Sequence, residues 1–349
     1  MKWINALDLG IKGRAFKAEG YHRLTKEDNK IMSKVFPPGA HHVVWFPKLG
    51  NCSAGLHVDF KTDSRNIFVR WTVKYMDIPD SMSIINQSGM DLYILWGKDY
   101  RFVNSTIFHY QKYNECKLVD NFKNIPKKIN EFSLNLCSYD EIVELEIGID
   151  DNAKIESCPD KKDYIAFYGS SITQGACASR PGMIYTNIIR RKLKEEVVNL
   201  GFCGTGQLNP EMVEILNRLD PKIMVMDCMP NMYWMEEEEF IKRYTHFYTT
   251  FRESHPKTPI LFVEKAIYTN SWAKGVAIEN NCYVLRNLTL KWYITDAHLY
   301  YLQGEALYGN DFEASSEGEH PNDIGFTRMA DIILKKLKAI LKSEMLNNK

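Results

Sequence analysis

The sequence predicts an α/β protein in two unlike parts: an antiparallel sandwich, then a three-layer α/β/α unit. Two observations predict it. Before about residue 160 the apolar residues alternate with polar ones, at the period of two that buries one face of a strand. Beyond that point short, nearly continuous apolar runs alternate with helical stretches, as strands covered on both faces of a parallel sheet require. Length agrees, since 349 residues at about 150 per domain give two. The pattern changes near Cys158-Pro159-Asp160, so the predicted domains are 1–160 and 161–349.

In the first half, Leu56-His57-Val58-Asp59-Phe60 opens the series of strands. Ile67, Val69, Trp71, Val73 and Tyr75 then alternate with Phe68, Arg70, Thr72 and Lys74. Asp91–Trp96, Arg101–Phe108 and Phe132–Leu136 are shorter runs of the same kind. Val143, Leu145, Ile147 and Ile149 repeat the alternation, with Glu144 and Glu146 expected to point outward. Turn signals separate the runs: Pro37-Pro38-Gly39, Thr62-Asp63-Ser64, Pro79-Asp80 and Ser88-Gly89. Many short strands without helical patterns between them predict a sandwich of the jelly-roll kind.

In the second half the apolar runs are Tyr164–Tyr168, Val197–Leu200, Ile223–Met226, Ile260–Val263 and Leu299–Leu302. Ile184, Ile188 and Leu193 mark a helix between the first two, with Pro181 near its first turn. The acidic run Glu236–Glu239 starts another, because negative charge suits the positive end of a helix. Asn322 is a good cap for a last helix, lined on one side by Met329, Ile333, Leu337 and Leu341. Five βα-like units of this kind build a three-layer α/β domain. Such folds place their sites beyond the carboxyl ends of the strands.

Composition excludes several functions. At 45% hydrophobic and 25% charged the chain is ordinary globular protein. Its 44 basic residues balance 44 acidic ones, so no surplus exists to neutralise phosphates and no nucleic-acid partner is expected. Runs such as Val43–Phe46 are far short of the roughly 18 residues that span a bilayer, so no membrane role is expected. Asp8 falls where a signal peptide needs its apolar core. That predicts a cytoplasmic protein, or a secreted or periplasmic one whose signal has been removed. Eight cysteines without a C-x-x-C pair predict buried thiols rather than a zinc site. His41-His42, adjacent on a strand, would point to opposite faces and make poor metal geometry. Nothing in the sequence speaks to the oligomeric state.

The chemistry gathers in four segments. Gly169-Ser170-Ser171-Ile172-Thr173-Gln174-Gly175 follows the first parallel strand, where a glycine allows a sharp turn that exposes a hydroxyl. Its spacing is not that of the G-x-S-x-G elbow. Asn199-Leu200-Gly201-Phe202-Cys203-Gly204-Thr205-Gly206 follows the second strand and offers backbone N–H groups to an anion. Asp227-Cys228-Met229-Pro230-Asn231 follows the third and ends in a side-chain amide that can donate to an oxyanion. Glu317-Gly318-Glu319-His320-Pro321-Asn322 precedes the last helix, with an acid three places before a histidine.

In this order the four segments resemble the blocks of the SGNH (GDSL-type) hydrolases, which implies that family's flavodoxin-like α/β/α fold for the second half. The first half, especially Asn51-Cys52-Ser53-Ala54-Gly55-Leu56 and Lys61-Thr62-Asp63-Ser64, resembles the sandwich preceding one two-domain, carbohydrate-esterase-like bacterial subgroup. The resemblance implies Ser171 as nucleophile, His320 as base and Glu317 as the acid that orients it. It implies an oxyanion hole of the Ser171 and Gly204 N–H groups with the Asn231 amide. No metal or organic cofactor is implied. Three departures stand out: Ser170 replaces the aspartate that often precedes the nucleophile, Met-Pro-Asn-Met replaces Gly-x-Asn-Asp, and Glu317 replaces the usual aspartate.

The expected substrate is a small-molecule or carbohydrate ester, with an acetyl group first. Arg180, Tyr233 and Trp234 are candidate substrate contacts. For Arg180 the competing reading is a structural tie, and for the two aromatic residues it is core packing. A lipase, thioesterase or arylesterase of the same fold is the nearest alternative. From another class comes a non-catalytic carbohydrate-binding protein with a decayed hydrolase domain.

Overall fold

Residues 1–36, 46–76, 81–123, 128–275 and 279–347 are described, from a computed structural model. The turn signals Pro37-Pro38-Gly39 and Pro79-Asp80, the pair His41-His42 and the run Val43–Phe46 except its last residue lie outside the described residues.

The first half holds two antiparallel sheets. Its strands are β1 (Lys2–Asn5), β2 (His57–Thr62), β3 (Ile67–Val73), β4 (Asp91–Trp96), β5 (Asp99–Ser105), β6 (Tyr113–Val119), β7 (Asn130–Asn135), β8 (Ile142–Ile149) and β9 (Ile155–Ser157). One sheet runs β1-β8-β3-β6 and the other β5-β4-β7-β2-β9. Their inner faces share one core, to which Val58, Phe60, Leu92 and Phe132 come from one sheet and Val69, Trp71, Leu145 and Ile147 from the other. β3 buries every second residue, as its alternation predicts.

One inward residue differs from expectation. Val143 is 52% exposed and Ile142 is buried in its place. The pairing of β3 with β8 shifts register between Thr72 and Val73, so Val73 faces Ile142. A bulge of this kind inserts one residue and reverses the alternation at the strand's start. β1, β6 and β9 carry no clear alternation over enough residues to be expected from sequence.

The second half is a parallel sheet of β10 (Tyr164–Gly169), β11 (Glu196–Gly201), β12 (Ile223–Asp227), β13 (Ile260–Val263) and β14 (Leu299–Leu302), ordered β11-β10-β12-β13-β14. All five coincide with the expected apolar runs to within a residue at each end, and β10, β11, β12 and β13 are wholly buried except Tyr164. The helices Tyr185–Leu193 and Asp323–Asn347 cover one face through Ile188, Met329, Ile333 and Leu337. Pro210–Asn217, Glu237–Ser254 and Asn280–Tyr293 cover the other through Met212, Tyr244, Phe247 and Leu285. Asn322 caps the last helix, its Oδ1 accepting from the N–H groups of Ile324 and Gly325 at 2.9 and 3.1 Å.

The first half also contributes helices that the sequence pattern did not reveal, Lys26–Val35 and Phe46–Asn51. Leu24, Met32, Phe36, Phe46 and Leu49 join the core on the second face of the parallel sheet. Fully burying a side chain such as Phe46 contributes about 1.5–3 kcal/mol, so this cover is a substantial part of that layer. Arg23, 1% exposed, fixes the same segment to the sheet by donating to the carbonyls of Leu49, Cys52 and Gly201 at 2.5, 2.9 and 2.6 Å. Among the described residues no helix is long and apolar enough to cross a membrane.

Candidate active site

The loops after β10, β11 and β12 and the loop before the last helix meet at the carboxyl edge of the parallel sheet. Strand β10 ends at Gly169, where a Cβ would lie 1.9 Å from Thr173 Oγ1 and 2.5 Å from the Asp227 carbonyl oxygen. Only glycine lets the chain turn this tightly. Ser170 caps the short helix Ser171–Gln174, its Oγ accepting from the Ile172 N–H at 3.2 Å. Ser171 is therefore the first helical residue, with its amide at the unsatisfied end of the turn.

Ser171 Oγ lies 2.8 Å from His320 Nε2. On the far side of the ring, Glu317 Oε1 lies 2.7 Å from Nδ1 and also accepts the His320 backbone N–H at 2.6 Å. The carboxylate can only accept, so Nδ1 carries the proton and Nε2 is left to accept from the serine hydroxyl. The loop that makes this possible turns at Gly318, whose φ is 103°. Ser315 Oγ braces it, accepting from the Gly318 N–H at 2.8 Å and donating to the His320 carbonyl at 2.7 Å. Glu319 is directed elsewhere, to Lys274 Nζ at 2.7 Å.

The structure also brings the expected donors to this edge. The N–H groups of Ser171 and Gly204 have no hydrogen-bond acceptor among the described residues. Asn231 ends a short turn after β12, and its Oδ1 accepts from the Gly206 N–H at 3.2 Å. That contact fixes the amide orientation and leaves Nδ2 free to donate. Gln207 Nε2 holds the glycine loop by donating to the Gly204 carbonyl at 2.8 Å.

Asp227, at the end of β12, lies beneath the turn that carries Ser171. It is wholly buried and accepts from Thr173 Oγ1 at 3.0 Å and the Tyr185 hydroxyl at 2.7 Å. Burial pushes its carboxyl up to about 7, against the smaller pull of those two donors. The folded protein thus holds a proton that the unfolded chain, with an ordinary carboxyl near 3.9, gives up between about pH 4 and 7. Stability from this group falls as pH rises through that window and is flat above it. Asp227→Asn, which cannot ionise but keeps an accepting oxygen, is expected to lose this slope. Urea unfolding at about pH 5 and pH 8 should show the difference moving in the variant's favour by on the order of 2 kcal/mol. Parallel behaviour of the two proteins overturns this.

Three contacts that sequence reasoning missed come from the first half. The Tyr139 hydroxyl donates to the Ser171 carbonyl at 3.0 Å, Gln174 Nε2 donates to the Ser138 carbonyl at 3.0 Å, and Asn86 Nδ2 donates to the Gly175 carbonyl at 2.8 Å. They clamp the Ser171 turn against the sandwich. Arg180 belongs to the same seam. Its guanidinium donates to Asp91 Oδ2 at 2.5 Å and the Tyr93 hydroxyl at 2.6 Å, and it stacks 4.0 Å from the Phe102 ring. These are contacts of the kind a structural tie makes. Tyr233 packs edge-on to Tyr268 with ring centroids 6.4 Å apart, and Lys265 Nζ lies 4.8 Å from its ring. Trp234 is not core: 62% of it is exposed.

A model of the GDSL-like lipase/acylhydrolase family matches residues 161–338. A model of the N-terminus of SGNH-hydrolase-type esterases matches residues 1–155, and its GxDLY signature reads here as Gly89-Met90-Asp91-Leu92-Tyr93. That signature was the signal for Asp91 and Tyr93, which alternation alone reports only as strand. A solved GDSL-like lipase from Bacteroides ovatus is 31% identical, with a TM-score of 0.85 over 98% of each chain. The salicylyl-acyltransferase SsfX3 of a tetracycline biosynthetic pathway shares the fold at a TM-score of 0.76, with 19% identity over 97% of each chain. A family two carbohydrate esterase from Clostridium thermocellum shares it at 0.58, with 13% identity over 83% of this chain and 95% of its own. No curated protein matches the chain by sequence. The chain belongs to the GDSL-like lipase/acylhydrolase family of ester-hydrolysing enzymes.

Proposed function

We propose that the protein hydrolyses small acyl esters, acetyl first, on carbohydrate, through a Ser171–His320–Glu317 triad and an acyl-enzyme. The observation that carries this reading is the unbroken hydrogen-bond chain from Glu317 through His320 to Ser171. His320 takes the Ser171 proton as Oγ attacks the ester carbonyl, then returns it to the departing alcohol. Glu317 holds the tautomer and stabilises the imidazolium that forms. The Ser171 and Gly204 N–H groups and the Asn231 amide receive the oxyanion. Water then releases the acid through the same groups. The exposed indole of Trp234, three residues beyond Asn231, supports a sugar as the alcohol portion, because an aromatic face can stack on a pyranose ring. The fold likeness to carbohydrate esterases supports it too.

Initial rates on p-nitrophenyl esters of increasing chain length, and on acetylated oligosaccharides, test the substrate. Rates should fall steeply beyond short acyl groups; a preference for long chains overturns it. The triad has its own test. Glu317→Gln is expected to lower kcat by at least about tenfold, because the orienting charge acts on an imidazolium present only along the reaction path. Glu319→Gln, which loses only the Lys274 contact, should stay close to wild type. The reverse ranking defeats the assignment.

We propose further that 161–349 is the catalytic domain and 1–160 a sandwich that braces it. The two are not separable. Expressed alone, 161–349 would expose the sheet face that Leu24, Met32, Phe46 and Leu49 cover, and it is expected to be insoluble or unfolded by circular dichroism. A soluble, active fragment would show the brace to be dispensable.

A further inference from the structure

One thiol sits beside the triad without a part in it. Cys177 Sγ, a Glu317 carboxylate oxygen and a His320 ring nitrogen all lie within 4.8 Å of one another. The cysteine is buried at 7% exposure, while the other two side chains are about one-third exposed, so the cluster is open on one side to solvent. Sulfur, imidazole nitrogen and carboxylate oxygen are the three donor types zinc takes, and three protein ligands leave a fourth tetrahedral position for water. A hard cation such as calcium or magnesium would find one oxygen donor here and has no use for the thiol.

We propose that Cys177, Glu317 and His320 form an inhibitory site for a thiophilic divalent cation of the zinc class. Binding releases the Cys177 thiol proton to solvent and forms metal bonds to Sγ, the carboxylate and one ring nitrogen. Either ring nitrogen gives the same result. A metal at Nδ1 displaces the proton shared with Glu317, and the neutral ring then carries its proton on Nε2 and cannot accept from Ser171. A metal at Nε2 occupies the lone pair that receives the serine proton. Both remove the base, so the cation and the reaction compete for one imidazole. The loss of turnover rests on the proposed role of His320; the metal site itself does not.

The full chain, stripped with EDTA, is titrated with zinc sulfate during p-nitrophenyl acetate hydrolysis. Turnover should fall with zinc, return on EDTA, and ignore calcium and magnesium. Cys177→Ala should keep its basal rate and need at least about tenfold more zinc, since losing even a supporting group costs that much affinity. Cys177→Ser is the second variant should alanine leave an unstable packing defect. Cys203→Ala, which removes another thiol near the nucleophile, should behave as wild type toward zinc. Independently of turnover, cobalt(II) should give a near-ultraviolet thiolate-to-cobalt absorption band with wild type and Cys203→Ala, and none with either Cys177 variant. Equal zinc sensitivity in the Cys177 variants, or no cobalt band in wild type, overturns the site. A cobalt band with undiminished turnover upholds the site and overturns His320 as the base.

Discussion

Ser171→Ala is expected to lower kcat/KM on small acyl esters by about 10⁴–10⁶-fold, while Ser170→Ala keeps most of its rate. The two hydroxyls are neighbours in sequence but not in role. Ser171 Oγ lies against His320 Nε2 at 2.8 Å, whereas Ser170 Oγ is occupied as the cap of the helix that Ser171 begins. In the proposed mechanism, deleting the first removes the atom that forms the acyl bond. Deleting the second removes a cap, which costs about 1 kcal/mol of stability and leaves the reacting groups intact. Two measurements check this: steady-state kinetics of both variants, and mass spectrometry of the peptide labelled by a fluorophosphonate. The adduct should sit on Ser171. An adduct on Ser170, or Ser171→Ala retaining more than about a hundredth of the rate, overturns the assignment.

Much of this was legible in the sequence, for reasons that differ between the two halves. The parallel strands were readable because four of the five are buried on both faces, so Ile223–Met226 or Ile260–Val263 needs no alternation to stand out. The last helix was readable from Asn322 and the stripe of Met329, Ile333 and Leu337. The four segments of the site were readable because a parallel sheet delivers successive strand ends to one edge. Serine, glycine, asparagine and histidine in order along the chain (Ser171, Gly204, Asn231, His320) therefore become neighbours in space.

What escaped was set by contacts between distant segments. Lys26–Val35 is a helix that buries only Asp28, Asn29 and Met32, so its apolar stripe is too thin to show. Its local signal is Thr25, whose Oγ1 accepts from the Asp28 N–H at 3.1 Å. Val143 was expected inward because alternation has no way to announce a bulge in the partner pairing. Asn86 and Tyr139 donate to backbone carbonyls of the Ser171 turn and Ser138 accepts from Gln174 through its own carbonyl, and a backbone carbonyl leaves no mark on the identity of its residue. Arg180 carried two readings, substrate contact and structural tie, because no acidic residue stands near it in sequence. Its partners Asp91 and Tyr93 lie some ninety residues away in sequence, at separations of 89 and 87.

The second large effect concerns the block that departs most from its family's pattern. Met229-Pro230-Asn231-Met232 keeps the amide but replaces the residues around it, and the structure shows how the amide is still aimed. Gly206 N–H donates to Asn231 Oδ1, which settles which end of the side chain is the oxygen. The NH₂ end is then free for charge that develops on the substrate carbonyl. Such a donor acts mainly in the transition state, where the oxygen becomes anionic, so its loss should appear in kcat more than in KM. Asn231→Ala is expected to lower kcat by about 10²–10³-fold with KM little changed. Alanine also removes the Gly206 contact, and a shifted loop could lower the rate for that reason alone. Asn231→Asp separates the two: it retains an oxygen for Gly206 and replaces only the donor, with an oxygen that repels the oxyanion. The aspartate variant should therefore lose at least as much kcat as alanine while melting close to wild type. If it turns over within about threefold of wild type, Asn231 is a loop brace and the oxyanion is held by the Ser171 and Gly204 N–H groups alone.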